Sequence, residues 1–339
     1  MWHRRCVLHI GQFKCHRNFT KENEMNNETK PSVSVIIPTY NCLEYLPLAI
    51  QSVLDQDVEN IEIIVIDDGS TDGTFQWLKD LAKKDKRIIP LTLDRKGVST
   101  ARNFALCKAK SKLVAFLDAD DIWLPGKLRK QLEFHEHNPD IVMSFTNYEH
   151  FSPDNNSLGT CFDYWPRFKK FCKNKTGFIR LNKRGPGLIF SENVVGTSSV
   201  VASRNALQNA KGFDTSLNSA SDWDLWLSLS LSGPIGFNNS IMMNYLVRPN
   251  SISSNALLRL SALNTIVDRY QHQIRQLDKA SINYVKGRLS CAYAEYYQSQ
   301  RYQVKALKNH CSAFLFTPSI RLARAAATNL KNIMGLSSY

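Results

Sequence analysis

From residue 31 the chain alternates between short apolar runs rich in Val and Ile and longer stretches whose apolar positions recur three and four apart. "VSVIIP" at 33–38 predicts a strand closed by a proline. "CLEYLPLAIQSVLDQ" at 42–56 predicts a helix with Leu43, Leu46, Ala49, Ile50, Val53 and Leu54 at helical spacing. The alternation continues with strands over 61–67, 88–93, 113–117 and 141–145, and helices over 72–84, 98–109 and 126–137. Strands alternating with helices in this way predict βαβ units, hence an α/β fold with a Rossmann-like, mostly parallel sheet flanked by helices. Residues 146–195 lose the rhythm and are rich in aromatics, Asn and Lys, which predicts a long excursion over the site. A helix is expected at about 218–231, and from 255 three basic amphipathic helical stretches follow. The chain thus divides into a basic N-terminal extension (1–30), an α/β domain (31–254) and a C-terminal helical extension (255–339).

Composition narrows the possibilities. An apolar share of 43% is that of a globular protein. No run is apolar and long enough to span a bilayer, and the N-terminus lacks the apolar centre of a signal peptide. Eight scattered cysteines without a Cys-x-x-Cys pair read as reduced thiols, which points to the cytoplasm. Cys6, His9, Cys15 and His16 follow no common zinc-finger spacing. The net charge of +13 is uneven: residues 1–30 carry +3, 31–248 carry +1 and 249–339 carry +9. The basic C-terminal quarter suits a peripheral dock on an anionic membrane surface, against the alternative of a plain solvated helical face. Nucleic acid is the poorer partner, because these helices carry no recognised motif or aromatic-lined groove.

In a parallel sheet, ligands bind beyond the strand C-terminal ends. That rule gathers Thr39, Tyr40 and Asn41 after the first strand, Asp67 and Asp68 after the second, and Asp118, Asp120 and Asp121 after the fourth. Crowded carboxylates repel one another and call for a cation. Asp118 and Asp120 offer the hard oxygen donors that Mg²⁺ or Mn²⁺ takes together with substrate phosphates. The bland alternative is a polar turn in which Asp121 caps the following helix. Asp68 has a similar alternative as a turn residue, with Asp72 capping the next helix. "SASDWDLWLSLSL" starts a helix with Asp222 and Asp224 beside Trp223 and Trp226. Such a carboxylate is ordinarily a cap, but one flanked by indoles has the raised pKa that a general base wants.

Taken together, "VSVIIPTYN", "VIDDGSTDGT", "KGVSTARN", "LDADD", "GFDTSL" with "SDWDLWL", and "YLVRPNSIS" occur in the order of the inverting family-2 glycosyltransferases, which the chain resembles over about residues 32–254. The resemblance implies the GT-A fold and transfer of a sugar from a nucleotide-sugar, by family habit UDP-linked. The acceptor would be a glycan or a lipid-linked hydroxyl in lipopolysaccharide or capsule synthesis. It implies that Pro38, Tyr40 and Asp68 hold the base, with Arg102 in the "KGVSTARN" segment of the donor site. It further implies that Asp118 touches the ribose, Asp120 the divalent metal with Asp118 beside it, and Asp222 the acceptor hydroxyl. Two positions depart from the family pattern. Ser221 stands where a Glu often precedes the base. Arg248 stands where many members have a histidine; a guanidinium cannot ligate a metal but can pair with a diphosphate. A non-catalytic nucleotide-binding or scaffolding protein of the same fold is the alternative, and the presence of both Asp120 and Asp222 argues against it.

Overall fold

The computed structural model describes residues 30–248 and 256–333. Cys6, His9, Cys15 and His16, with most of the N-terminal extension, lie outside the described residues, as does the "PNSIS" portion of the closing segment.

Every element expected between residues 33 and 137 forms. β1 (Val33–Thr39) leads to α1 (Leu46–Leu54), β2 (Ile61–Asp67) to α2 (Thr74–Lys84), and β3 (Ile88–Thr92) to α3 (Val98–Lys108). β4 (Leu113–Phe116) is followed by a short β5 (Ile122–Trp123) and α4 (Lys127–His137). β1 and β2 are buried along their whole length, which is why they read as continuous apolar runs instead of alternating ones. They pair in parallel with Thr39 opposite Asp67, so both chain turns leave the sheet at the same level.

The next strand, β6 (Met143–Phe151), starts two residues later than expected and runs six further, into the supposed excursion. That excursion is itself structured: β7 (Ser157–Thr160), α5 (Cys161–Tyr164), α6 (Pro166–Cys172), β8 (Phe178–Leu181), α7 (Gly185–Ser191) and a 3₁₀ turn at Thr197–Ser199. β9 (Val201–Ser203), α8 (Arg204–Asn209), α9 (Ser221–Ser232) and β10 (Ile235–Leu246) follow. β10 escapes the sequence pattern because its alternation is broken by register shifts between Asn238 and Ile241 and between Ile241 and Asn244.

The sheet order is β3-β2-β1-β4-β9-β6-β10-β5, with β7 beside β6 and β8 beside β10. β9 runs antiparallel to both β4 and β6, and β10 runs parallel to β6. Six strands (β1, β2, β3, β4, β6 and β10) therefore point the same way, and their C-terminal ends share one edge.

The C-terminal helices are α10 (Ala256–Leu277), α11 (Lys279–Ser299), α12 (Gln303–Phe316) and α13 (Ile320–Ile333). The first two do not form a free tail. Ile266, Val267, Tyr270, Ile274, Ile282 and Val285 join the main core, with α10 against α7 and α9 and α11 against α7. Among the described residues no helix is long and apolar enough to cross a membrane.

Candidate active site

The β1 and β2 ends are locked to each other before any ligand arrives. Asn41 donates its N–H to Ser70 Oγ at 2.8 Å and accepts Thr71 N–H at 2.8 Å on its side-chain oxygen. Asp72 binds Leu43 N–H with one oxygen and Thr74 N–H with the other, so it ties two turns together as well as serving the start of α2. Asp68 accepts the N–H groups of Lys96 and Gly97, each at 2.7 Å. Gly97 has φ +88°, a conformation only glycine adopts freely, and this presents its N–H to the carboxylate. Asp68 thus acts in a turn, and since a carboxylate has about four acceptor positions it retains capacity for a ligand N–H. Tyr40, 38% exposed, presents its ring at this edge with the Arg95 guanidinium 4.9 Å from the ring centre. Pro38 is buried within β1, opposite Ile66, so Tyr40 offers the more open surface.

The β4 end carries the acidic cluster. Arg102, itself buried, reaches Asp118 at 2.5 Å and lies over the Phe213 ring. Arg248 reaches Asp120 at 2.5 Å, lies over the Tyr45 ring and hydrogen-bonds Cys42. Burial, then the neighbouring Asp118 carboxylate, pushes the Asp120 carboxyl up from its ordinary range. Asp121 does not cap α4. It is buried, accepting Ser198 O–H at 2.5 Å and Leu246 N–H at 3.2 Å, and desolvation with Asp120 and Asp118 nearby pushes it well up. The cap position of α4 is Gly126. Arg248 therefore sits on Asp120 itself, where a diphosphate partner had been expected.

The 197–199 turn joins this cluster to Asp222. Ser198 Oγ accepts Asp118 N–H at 2.9 Å while donating to Asp121, and Ser198 O accepts the Trp123 indole N–H at 2.7 Å. Its neighbour Thr197 donates its hydroxyl to Asp222 at 3.0 Å, and the other Asp222 oxygen accepts Trp223 N–H at 2.8 Å. Gly196 is required just before the turn because a Cβ there would stand 2.7 Å from the Tyr148 ring. From beneath, Gln131 donates to Ser199 O and to Ser144, and its own oxygen accepts from buried Lys127 Nζ at 2.7 Å. Tyr245 reports the convergence: burial pushes its phenol up, and Asp121, Asp118, Asp120 and Asp222 all add to the effect.

The indoles beside Asp222 do not surround it as the sequence suggested. Trp223 turns inward, donates to Ile189 O and stacks on Phe190, while Trp226 packs against Phe116 and Phe213. Asp224 points away and pairs with Arg269 of α10 at 2.7 Å. The structure brings Asp118, Asp120 and Asp222 into one neighbourhood, with Arg102 and Arg248 beside them. Thr197, Ser198, Arg95 and Tyr245 were missed in the sequence; the only local sign of the turn was the hydroxyl run "GTSS" between apolar residues.

A divalent ion fits this donor set in a limited way. Among the described residues no three His, Cys, Asp or Glu side chains are grouped to hold a metal. The chemistry suits a hard cation held through one or two carboxylates and completed by phosphate and water oxygens. Asp118 and Asp120 each hold one guanidinium, while crowding and burial push Asp120 and Asp121 up, a repulsion that an added cation would relieve. Among the described residues the Nε atoms of Arg102 and Arg248 have no hydrogen-bond partner, and guanidiniums so placed suit a phosphate.

The model of "Glycosyl transferase family 2" matches residues 34–195. The putative teichuronic acid biosynthesis glycosyltransferase TuaG of Bacillus subtilis is 36% identical over 228 residues, spanning 67% of this chain and 83% of that protein. The UDP-Glc:alpha-D-GlcNAc-diphosphoundecaprenol beta-1,3-glucosyltransferase WfaP of Escherichia coli is 42% identical over 117 residues, 34% of this chain and 45% of the relative. Among solved structures, the mannosyltransferase PcManGT from Pyrobaculum calidifontis in complex with GDP-Man and Mn²⁺ superposes with a TM-score of 0.60. It shares 17% identity, with 91% of this chain and 81% of that one covered, a likeness of fold.

Proposed function

Because the chain belongs to glycosyl transferase family 2 and has the GT-A fold, we propose that it is an inverting, metal-dependent glycosyltransferase. Its donor is a nucleotide-sugar, by preference UDP-linked. Its acceptor is a hydroxyl of a glycan or lipid-linked sugar in the synthesis of a cell-surface polysaccharide such as lipopolysaccharide or capsule. The observation that carries this reading is the turn at Thr197–Ser199, which binds Asp118 and Asp121 with one residue and Asp222 with the adjacent one. Donor-side acids and an acceptor-side base are thereby held in fixed relation.

In this reading Tyr40, Asp68 and Pro38 receive the base, Asp118 the ribose, and Arg102 and Arg248 the diphosphate oxygens. Asp120, with Asp118 beside it, would hold Mn²⁺ or Mg²⁺, which supplies charge stabilisation to the leaving diphosphate. Asp222 takes the proton from the acceptor hydroxyl. The resulting oxygen bonds to the anomeric carbon from the face opposite the departing nucleotide, whose bond to that carbon breaks with both electrons. Thr197 orients the base. The relatives WfaP and TuaG support the substrate class by their names, and the Mn²⁺ bound by PcManGT supports the metal.

Exposed Phe314 and Leu315 stand on α12, and exposed Leu330 and Ile333 on α13, which also bears Arg321, Arg324 and Lys331. This favours peripheral attachment to an anionic membrane surface through the helical region, at the cytoplasmic face. The decisive experiment is a panel of nucleotide-sugars screened for hydrolysis and transfer with and without EDTA, the product's anomeric configuration being read by NMR. A retained configuration, or full activity in EDTA, would refute the mechanism.

A further inference from the structure

The stretch 167–184, "RFKKFCKNKTGFIRLNKR", holds eight Lys and Arg and no Asp or Glu. The rest of residues 31–248 carries about 17 basic against 24 acidic side chains, so this stretch is a local reversal of charge, and nothing in the transfer site uses it. Three of these cations are paired: Arg167 with Asp278, Lys169 with Asp163 at 2.9 Å, and Arg180 with Asp140 at 2.5 Å. Lys170, Lys173, Lys183 and Arg184 have no ion pair among the described residues. The C-terminal end of α6 favours cations by its dipole, which accounts for Lys169 and Lys170 but not for those beyond the helix.

The cations rim two clefts, one on each side of α6. The larger has a volume of about 730 Å³ and is lined by Lys169 with its partner Asp163, Lys170, Lys173, Asn174, Asn239 and Thr160, over Phe162 and Ile241, so Lys170 and Lys173 are its unpaired cations. The smaller, of about 550 Å³, is rimmed by Lys175, Arg180, Lys183 and Arg184 around Phe171 and Leu181. Amide and hydroxyl side chains match sugar hydroxyls, apolar floors match the C–H faces of sugar rings, and unpaired ammonium groups call for anions. A lipid surface is the poorer match: it cannot enter a cleft, and no large apolar side chain is exposed between residues 166 and 184 to insert into one. None of the residues lining either cleft belongs to the transfer site.

We propose that α6 and its two flanking clefts form a binding site for a polyanionic glycan, a chain of carboxylate-bearing sugars held apart from the point of transfer. As a holding site for the growing acceptor it rests on the transferase reading; as a binding site it can be tested without turnover. The probe is polygalacturonate, with neutral dextran as control, measured by affinity electrophoresis and calorimetry on the full chain. The variants are Lys169→Gln/Lys170→Gln/Lys173→Gln and a control that removes charge elsewhere, Lys305→Gln/Lys308→Gln.

The expected result is that polygalacturonate binds in a salt-sensitive way and dextran does not. The three-lysine variant should lose roughly tenfold in affinity, a modest sum of exposed charge contacts, while the control variant keeps it. Both variants replace surface lysines, and unchanged melting confirms the fold. Equal losses in the two variants would reduce the effect to net charge and overturn the site. So would loss of binding to phosphatidylglycerol vesicles in the three-lysine variant with polygalacturonate binding intact, which would make this face a membrane dock. If polygalacturonate binding behaves as stated while no nucleotide-sugar is turned over, the transferase reading fails and the glycan site stands.

Discussion

Arg248 Nη2 lies 2.5 Å from Asp120 Oδ2, so the carboxylate expected to bind a divalent metal already has a cationic partner built into the chain. Metal and guanidinium then compete for Asp120 unless the nucleotide diphosphate draws the arginine away. Replacing Arg248 by Met should tighten Mn²⁺ binding to the nucleotide-free enzyme, because an opposing positive charge is removed, and weaken UDP binding in the presence of Mn²⁺. Electron paramagnetic resonance gives the first and calorimetry the second. Looser Mn²⁺ binding in the variant would mean that Arg248 supports the metal instead of opposing it.

Asp120→Ala should abolish turnover and weaken nucleotide binding, since the remaining donors lose the most suitable metal-facing oxygen. It should also leave Arg248 without its carboxylate partner. A variant retaining metal-dependent transfer near the wild-type rate would move the metal site elsewhere.

Asp222→Asn keeps the shape of the side chain but cannot take a proton, so kcat should fall by roughly 10²–10⁴ with little change in UDP affinity. Asp224→Asn is the informative contrast. Its carboxylate is buried and holds Arg269, so it should lower stability by about 1–3 kcal/mol, as for a weakened hydrogen bond to a charged group, while chemistry proceeds in the folded fraction. Thr197→Val should produce an intermediate loss in kcat at unchanged donor KM, because the base stays but its orientation is released. If Asp224→Asn were inactive while fully folded, the base would have been assigned to the wrong residue.

His135 lies buried beside Ser144, and burial holds its imidazole down at about 4, from an ordinary 6.5. As pH falls through 6.5 the unfolded chain takes up a proton there, whereas the folded chain does so only near 4. Stability is therefore lost on acidification across that window, by about 3 kcal/mol at its lower end. His135→Gln should shrink the difference in urea stability between pH 7 and pH 4.5 while leaving activity at pH 7 intact. An unchanged difference would assign the acid sensitivity to other groups.

Membrane attachment is best tested by substitution. Removing everything from 255 would strip Ile266, Tyr270, Ile274 and Val285 from the core and release Asp224 from Arg269. Arg321→Gln/Arg324→Gln/Lys331→Gln should reduce sedimentation with anionic liposomes and leave donor hydrolysis unchanged. Equal sedimentation of wild type and variant would refute a docking role for α13.

By itself the sequence determined the parallel half of the sheet and the ends where Asp68, Asp118 and Asp120 gather. Those features follow from short-range pattern: buried strands read as apolar runs, and the polar residues after them fall on one edge. The helix bearing Asp222 and Asp224 was legible for the same reason. The resemblance already favoured Asp222 over Asp224; the tertiary structure supplied what holds Asp224 elsewhere, its pairing with Arg269, forty-five residues along the chain. It alone placed Arg248 on Asp120, 128 residues apart by number, and turned Trp223 and Trp226 into the core. It also revealed the turn at Thr197–Ser199, whose hydroxyls join Asp118 and Asp121 to Asp222. Such partners are chosen by packing between distant elements, and local periodicity carries no information about them.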